Sequence, residues 1–271
     1  MTFEASSEPG ERGAPLLLLH GITGSARMWQ QVVPLLRPRY QVTAPTAYGH
    51  RGGTSATLRP ARIEHVVDDA ERLLDRMRLE RVHLAGNSLG GWVALELARR
   101  DRALSVCALS PAGFWTQRPR AVRVLSALSA LTRVSRPALP VLAHSAGFRR
   151  FALRDNAVHG ERVTREDLIE MADDVIGCSV AADLFASPEY FAAFTPRCPV
   201  TIAWSEHDRI FPMRAFAPVG RQLVTNARHT VLEGVGHVPM FDDPRLVADT
   251  IVESIEWAVK SAQPQPVHAA Q

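Results

Sequence analysis

Apolar positions along this chain alternate between two patterns. The first is a short continuous apolar run that stops at a glycine or a polar residue, as in "APLLLLHG" (14–21), "YQVTAPT" (40–46), "RVHLAG" (81–86) and "SVCALS" (105–110). Such runs predict strands buried on both faces. The second has helical period. In "IEHVVDDAERLLDRMRL" (63–79), positions 63, 66, 67, 70, 73, 74 and 77 are apolar and mark one helix face. "LGGWVALELARR" (89–100) predicts another helix, and "MWQQVVPLL" (28–36) a short one with Pro34 near its end or at a kink. Strands alternating with helices predict βαβ units around a parallel sheet.

The alternation pauses at Pro111. From 111 to about 197 the signals are helical, and then "VTIAWS" (200–205), "HTVLEG" (229–234) and "PRLVADTIVESIEWAVK" (244–260) resume strand, strand and helix. The expected fold is α/β, with a mostly parallel central sheet, helices on both faces and an inserted helical cap. The expected core is 14–110 and 199–260, the cap or lid 111–198, and the loose termini 1–13 and 261–271.

Composition narrows the class without naming a function. Of 271 residues, 46% are hydrophobic and 22% charged, which suits one large α/β domain. A net charge of +3, from 31 basic against 28 acidic residues, predicts no nucleic-acid partner. Cys107, Cys178 and Cys198 are scattered and odd in number, which reads as reduced thiols. The first residues lack the basic and apolar regions of a secretory signal, and no apolar run approaches the ~18 residues of a membrane helix. The expectation is a cytoplasmic protein, monomer or homodimer, without membrane contact. The expected cap is polarised: 111–154 holds eight arginines and no acid, and 155–189 holds nine acids and two arginines. Three readings stay open for it: pairing or solvated halves, a basic rim that attracts anionic substrate, or a membrane-touching lid.

Candidate chemistry centres on Ser88 in Gly86-Asn87-Ser88-Leu89-Gly90. The bare Gly-x-Ser-x-Gly pattern is common by chance, but here it falls where a strand becomes a helix. A sharp turn there leaves no room for side chains at Gly86 or Gly90. The helix beginning at Leu89 points free N–H groups toward the serine. A serine hydroxyl needs a base, usually a histidine oriented by a carboxylate. Among ten histidines, His237 stands in a loop between a late strand and the last helix. Asp208, just past the run 200–205 and ahead of Ile210 and Pro212, is the candidate acid, with Glu206 as fallback. The N–H of Leu89 is one candidate oxyanion donor. Ile22 supplies the second, since Gly21 after His20 permits close approach. The loop 44–55 either lines the site or is a plain tight turn.

These residues together resemble the α/β-hydrolase family, from about Leu16 to Lys260. The resemblance implies a Ser88-His237-Asp208 triad, no metal or organic cofactor, and a small-molecule acyl substrate such as an ester or thioester. A carbon–carbon bond hydrolase of ring-cleavage diketones is the nearest alternative, since those enzymes often read Gly-Asn-Ser-x-Gly-Gly. A small-molecule receptor on the same fold is the alternative from another class. Where many relatives carry Asp-x-Pro-Gly-x-Gly-x-Ser, this chain has Thr46-Ala47-Tyr48-Gly49-His50-Arg51-Gly52-Gly53. Val238 replaces the Trp that often follows the histidine in carbon–carbon hydrolases, and Leu89 the Met of haloperoxidase-like relatives. Most epoxide hydrolases and the haloalkane dehalogenases of the fold use Asp as nucleophile, so Ser88 disfavours both. Relatives usually begin with an antiparallel hairpin, for which residues 1–13 leave room for one short strand at most.

Overall fold

A strand apolar at every position must be covered on both faces, and Ala14–Leu19 (β1) sits inside a sheet. The computed structural model describes residues 13–115 and 130–262. The other strands are Tyr40–Thr43 (β2), Val82–Asn87 (β3), Ala103–Leu109 (β4), Val200–Ser205 (β5) and Arg228–Leu232 (β6). Their order is β2-β1-β3-β4-β5-β6, and every pairing is parallel. Side-chain alternation divides the leucines of β1 between two cores. Leu17 and Leu19 pack with Leu84, Trp92 and Trp204 on one face. Leu16 and Leu18 pack with Trp29, Val247 and Ile251 on the other.

Proline accounts for the larger differences from the sequence pattern, while β4 and β6 shift by one or two residues at their ends. The single helix expected over 28–36 is two pieces, a 3-10 turn Ala26–Trp29 and a helix Val33–Leu36 (α1). Pro34 lies in the first turn of α1, where its missing N–H would have had no partner. The strand expected over 40–46 ends at Thr43, because Pro45 cannot donate to a ladder. The helix Met213–Leu223, between Asp208 and His237, carries Pro218 inside it. Ile63–Arg76 (α2) and Leu89–Arg99 (α3) lie where the periodicity puts them. The loose termini and the trimmed first hairpin fall outside the described residues, except for 13, 261 and 262.

Between β4 and β5 the described residues form helices and no strand, chiefly Ala146–Ala152, Arg165–Gly177 and Ala181–Ala186. This insertion has a small core of its own, with Leu139, Leu153, Val163 and Leu168. Some of its acids face the sheet domain. Asp174 accepts from Arg51 Nε at 2.7 Å and from Ser25 Oγ at 2.5 Å, and Asp183 pairs with Arg59 at 2.7 Å. Inside the insertion Arg136 grips Asp173 through two nitrogens, at 2.6 and 2.8 Å. Glu170, Asp174 and Asp183 thus dock the insertion on core arginines, and other acids of this half pair within the insertion. Arg118, Arg120 and Arg123 lie outside the described residues.

The strand order reverses at β1, with β2 on one side and β3 on the other. Chains leaving β1 and β3 therefore diverge and open a crevice at the strand ends. That is where open parallel sheets bind ligands.

Candidate active site

β3 ends at Asn87 and α3 begins at Leu89, so Ser88 alone carries the turn. It adopts φ 55° and ψ −115°, a costly conformation for a residue with a side chain. Hydrogen bonds hold it there. Its N–H donates to the Leu109 carbonyl at 3.0 Å, and its carbonyl accepts from the N–H groups of Trp92 and Ala112 at 3.1 and 3.0 Å. A Cβ on Gly86 would overlap the backbone of Gly90, and one on Gly90 would overlap the carbonyl of Leu19. Gly90→Ala is therefore expected to cost upwards of ~3 kcal/mol, because backbone cannot step aside as a side chain can. That loss lowers Tm by roughly 10 °C. Gly147→Ala, in a helix with no close neighbour, serves as the control and should leave Tm level or slightly higher. Equal melting of the two variants would contradict the packing argument.

His237 follows β6 and reaches Asp208 in the loop after β5. Its Nδ1 donates to Asp208 Oδ2 at 2.7 Å. The other oxygen, Oδ1, accepts from the N–H groups of Ile210 and Phe211 at 2.8 and 2.7 Å. Burial pushes the Asp208 pKa up, but the adjacent imidazole and these hydrogen bonds outweigh it. The carboxyl is held below the usual carboxylate range. Glu206 is exposed and accepts from the Gly234 N–H at 2.9 Å, away from the ring. Ser88 and His237 line one cavity of about 150 Å³, with no hydrogen bond between their side chains among the described residues.

Ile22 and Leu89 line the same cavity. Neither N–H makes a hydrogen bond among the described residues. Gly21 packs against Ser88, with room for a Cβ only 3.4 Å from that of the serine. Two histidines fasten this loop. His20 Nε2 accepts from the Ala47 N–H at 2.9 Å, and its Nδ1 donates to the Gly21 carbonyl at 2.7 Å. His50 Nε2 accepts from the Thr23 N–H at 3.2 Å, and its Nδ1 donates to the Tyr48 carbonyl at 3.0 Å. Each ring needs one bare nitrogen, so both are neutral. His50, unremarked as a sequence position, is thus part of the support. The loop 44–55 contributes none of the residues lining the cavity. It backs the 20–24 loop instead.

Burial, with His50 beside it, lowers the His20 pKa to about 3 despite the Gly21 carbonyl, and burial lowers that of His83 to about 4. The unfolded chain binds these protons near pH 6.5, so the native state loses stability as pH falls below that value. Each such histidine contributes a slope of up to about 1.4 kcal/mol per pH unit. Thermal melts should show Tm falling between pH 7 and 5, above the range where carboxylates titrate. A level Tm over that range would contradict neutral buried rings.

Sequence reasoning missed two further supports. Asn87 Nδ2 donates to the carbonyls of Leu109 and His237, at 3.2 and 2.9 Å, and so ties the histidine loop to β4. Asp242 accepts from the N–H groups of Gly236 (2.8 Å), Val158 (3.0 Å) and His159 (2.7 Å), which joins that loop to the insertion. Asn87 stood inside the quoted motif, but its role depends on a partner 150 positions away. Nothing in the pattern "MFDDP" distinguishes Asp242 from Asp243.

A family profile described as the alpha/beta hydrolase family matches residues 16–250. The chain is 34% identical over 213 residues to the epoxide hydrolase EphH of Mycobacterium tuberculosis, covering 70% of this chain and 94% of that protein. It is 25% identical over 253 residues to a 2-hydroxy-6-oxononadienedioate/2-hydroxy-6-oxononatrienedioate hydrolase of Paraburkholderia xenovorans, covering 85% and 83%. In fold it is similar to a thermophilic esterase from Thermogutta terrifontis, with a TM-score of 0.69, 23% identity and 92% of each chain covered. The profile spans nearly the whole sheet domain and the elbow at Ser88 sits at its topological switch point, so this chain belongs to the alpha/beta hydrolase family.

Proposed function

We propose that this hydrolase cleaves an ester, thioester or related acyl compound through Ser88, His237 and Asp208. The observation that carries the reading is the single cavity holding a strained Ser88 beside a histidine whose Nδ1 is fixed by an ionised carboxylate. That bond leaves Nε2 of His237 as the free, basic nitrogen. Ser88 Oγ attacks the substrate carbonyl as His237 Nε2 takes its proton. The oxyanion is held by the N–H groups of Leu89 and Ile22. His237 then gives the proton to the leaving group, whose bond to the carbonyl carbon breaks. Water, deprotonated by the same nitrogen, releases the acid and restores the serine.

Similarity to an epoxide hydrolase does not transfer easily to a serine nucleophile. An aspartate that opens an epoxide leaves an ester, which water can attack at its carbonyl. A serine would leave an ether, which has no carbonyl to attack, and turnover would stop. An acyl substrate avoids that dead end. Carbon–carbon cleavage by the same residues is the second reading, supported by the ring-cleavage relative and by Asn87 before the serine.

The cavity favours an apolar acyl group, since Ile63, Trp92, Trp115, Leu184 and Phe211 line it. It shares Ile22, Met28, Asn156 and Val238 with a second cavity of about 300 Å³, bordered by Arg27, Gln30 and Asp167. A more polar leaving group fits that side. Incubation with a fluorophosphonate probe tests the activated serine: the native protein should label and Ser88→Ala should not. An unlabelled native protein would remove the proposal. Labelling without turnover of either esters or vinylogous diketones would make the protein a binding module.

A further inference from the structure

The helix Arg165–Gly177 of the insertion lies against the loop 20–25, which lines the catalytic cavity, and against the loop 44–55 behind it. Its Asp174 is 3% exposed, and the two carboxylate oxygens go to two different loops. Oδ2 accepts from Ser25 Oγ at 2.5 Å, and Oδ1 from Arg51 Nε at 2.7 Å. Arg51 meets the same helix again at Glu170 Oε2, 2.5 Å away. Its stem packs on Gly177, where an added Cβ would stand 2.7 Å from it. Just past the helix, the Ser179 N–H donates to the Gly49 carbonyl at 2.8 Å. Any buried carboxylate is expected to have partners. What distinguishes Asp174 is the pair of segments its partners belong to.

Ser25 closes the loop that carries Ile22. Arg51 follows His50, whose ring accepts from the Thr23 N–H at 3.2 Å. Thr23 has φ 61°, a conformation that a β-branched side chain rarely adopts. Such a residue stays in place where its surroundings hold it from several directions. The sheet domain supplies His50 to Thr23, and Thr46 Oγ1 to the Ala26 N–H at 3.2 Å. The insertion supplies Asp174, directly at Ser25 and through Arg51 beside His50. We propose that Asp174 is a positioning residue: docking of the insertion through it completes the loop that presents the Ile22 N–H to the oxyanion. The proposal rests on the acyl-transfer reading of Ser88. It adds that the active site is complete with the insertion seated. With the insertion lifted, the loop loses its anchor at Ser25; with it seated, the donor is set.

Hydrogen exchange read by mass spectrometry tests the loop itself. In Asp174→Asn the amides of residues 20–26 should exchange at least ~10-fold faster than in the native protein, while those of β3 keep their protection. Asp183→Asn is the control. It breaks another pair between insertion and sheet domain, Asp183 with Arg59, without touching the loop, so exchange there should not change. Ser25→Ala removes the direct bond alone and should give the same acceleration to a smaller degree, so the test stands even if Asp174→Asn folds poorly. Kinetics read the consequence. A displaced oxyanion donor should lower kcat at least ~10-fold in Asp174→Asn with little change in KM, while Asp183→Asn keeps kcat within about twofold. Asp174 also borders the cavity of about 300 Å³. Esters of one acid with different alcohols separate the two roles. A misplaced donor lowers kcat/KM by the same factor for all of them, and a lost contact with the leaving group by a factor that changes with the alcohol. Unchanged exchange, faster exchange with unchanged kcat, an equal effect of Asp183→Asn, or a loss that follows the alcohol overturns the proposal. Because exchange reads no turnover, its outcome does not depend on the role proposed for Ser88.

Discussion

Ser88→Ala should reduce kcat on an acyl substrate by on the order of 10⁴- to 10⁶-fold while KM changes little. The hydroxyl is the only part of the side chain that changes. The Cβ that Gly21 packs against remains, and so do the three backbone hydrogen bonds that hold the turn. The variant keeps the same left-handed φ, so the elbow and the N–H groups proposed to hold the oxyanion stay in place. Ground-state binding is thus retained, and only covalent catalysis is removed. The measurement is steady-state kinetics on the best ester, with circular dichroism to show an unchanged fold. A variant retaining more than a few per cent of kcat would mean that another group attacks the carbonyl.

Asp208→Asn is expected to lower kcat by roughly 10⁴-fold with the fold intact. The amide oxygen of an asparagine can still accept from the N–H groups of Ile210 and Phe211, as Oδ1 does now. Its NH₂ then faces His237 Nδ1. That nitrogen must become an acceptor, so the ring proton moves to Nε2, which can no longer take a proton from Ser88. The change also removes the charge that stabilises an imidazolium. Glu206→Gln is the companion, and kcat should stay within about twofold because a surface carboxylate bound to Gly234 takes no part. If the two variants fell equally, the histidine would be oriented by something other than Asp208.

Much of the sheet was legible because it rests on local patterns. A run such as Leu16–Leu19 has no polar face to give to water, and "VTIAWS" corresponds to β5 residue for residue. Glycines at 86 and 90 showed a tight strand-to-helix turn, because only close backbone contact demands them. Proline positions were harder. Pro34 could end a helix or begin one, and only packing of Trp29, Val32 and Leu36 against the last helix decides between them.

The site divides the same way. The chain order Ser88, Asp208, His237 and the glycines around the serine are written in the sequence, and so is the break in strand pattern after Ser110. The sequence favoured Asp208 over Glu206, but the contact itself is tertiary: Asp208 meets the ring while Glu206, two positions earlier, turns to the Gly234 N–H. Only the tertiary structure decided that His50 supports the 20–24 loop, and that Asn87 and Asp242 hold the histidine loop from opposite sides. Asp174 and Asp183 of the insertion bind Arg51 and Arg59, more than a hundred positions away. Residue type and spacing determine which groups are available and how each strand and helix is built. Which of them meet depends on contacts between segments far apart in the chain, and those are settled when the two cores close on the sheet.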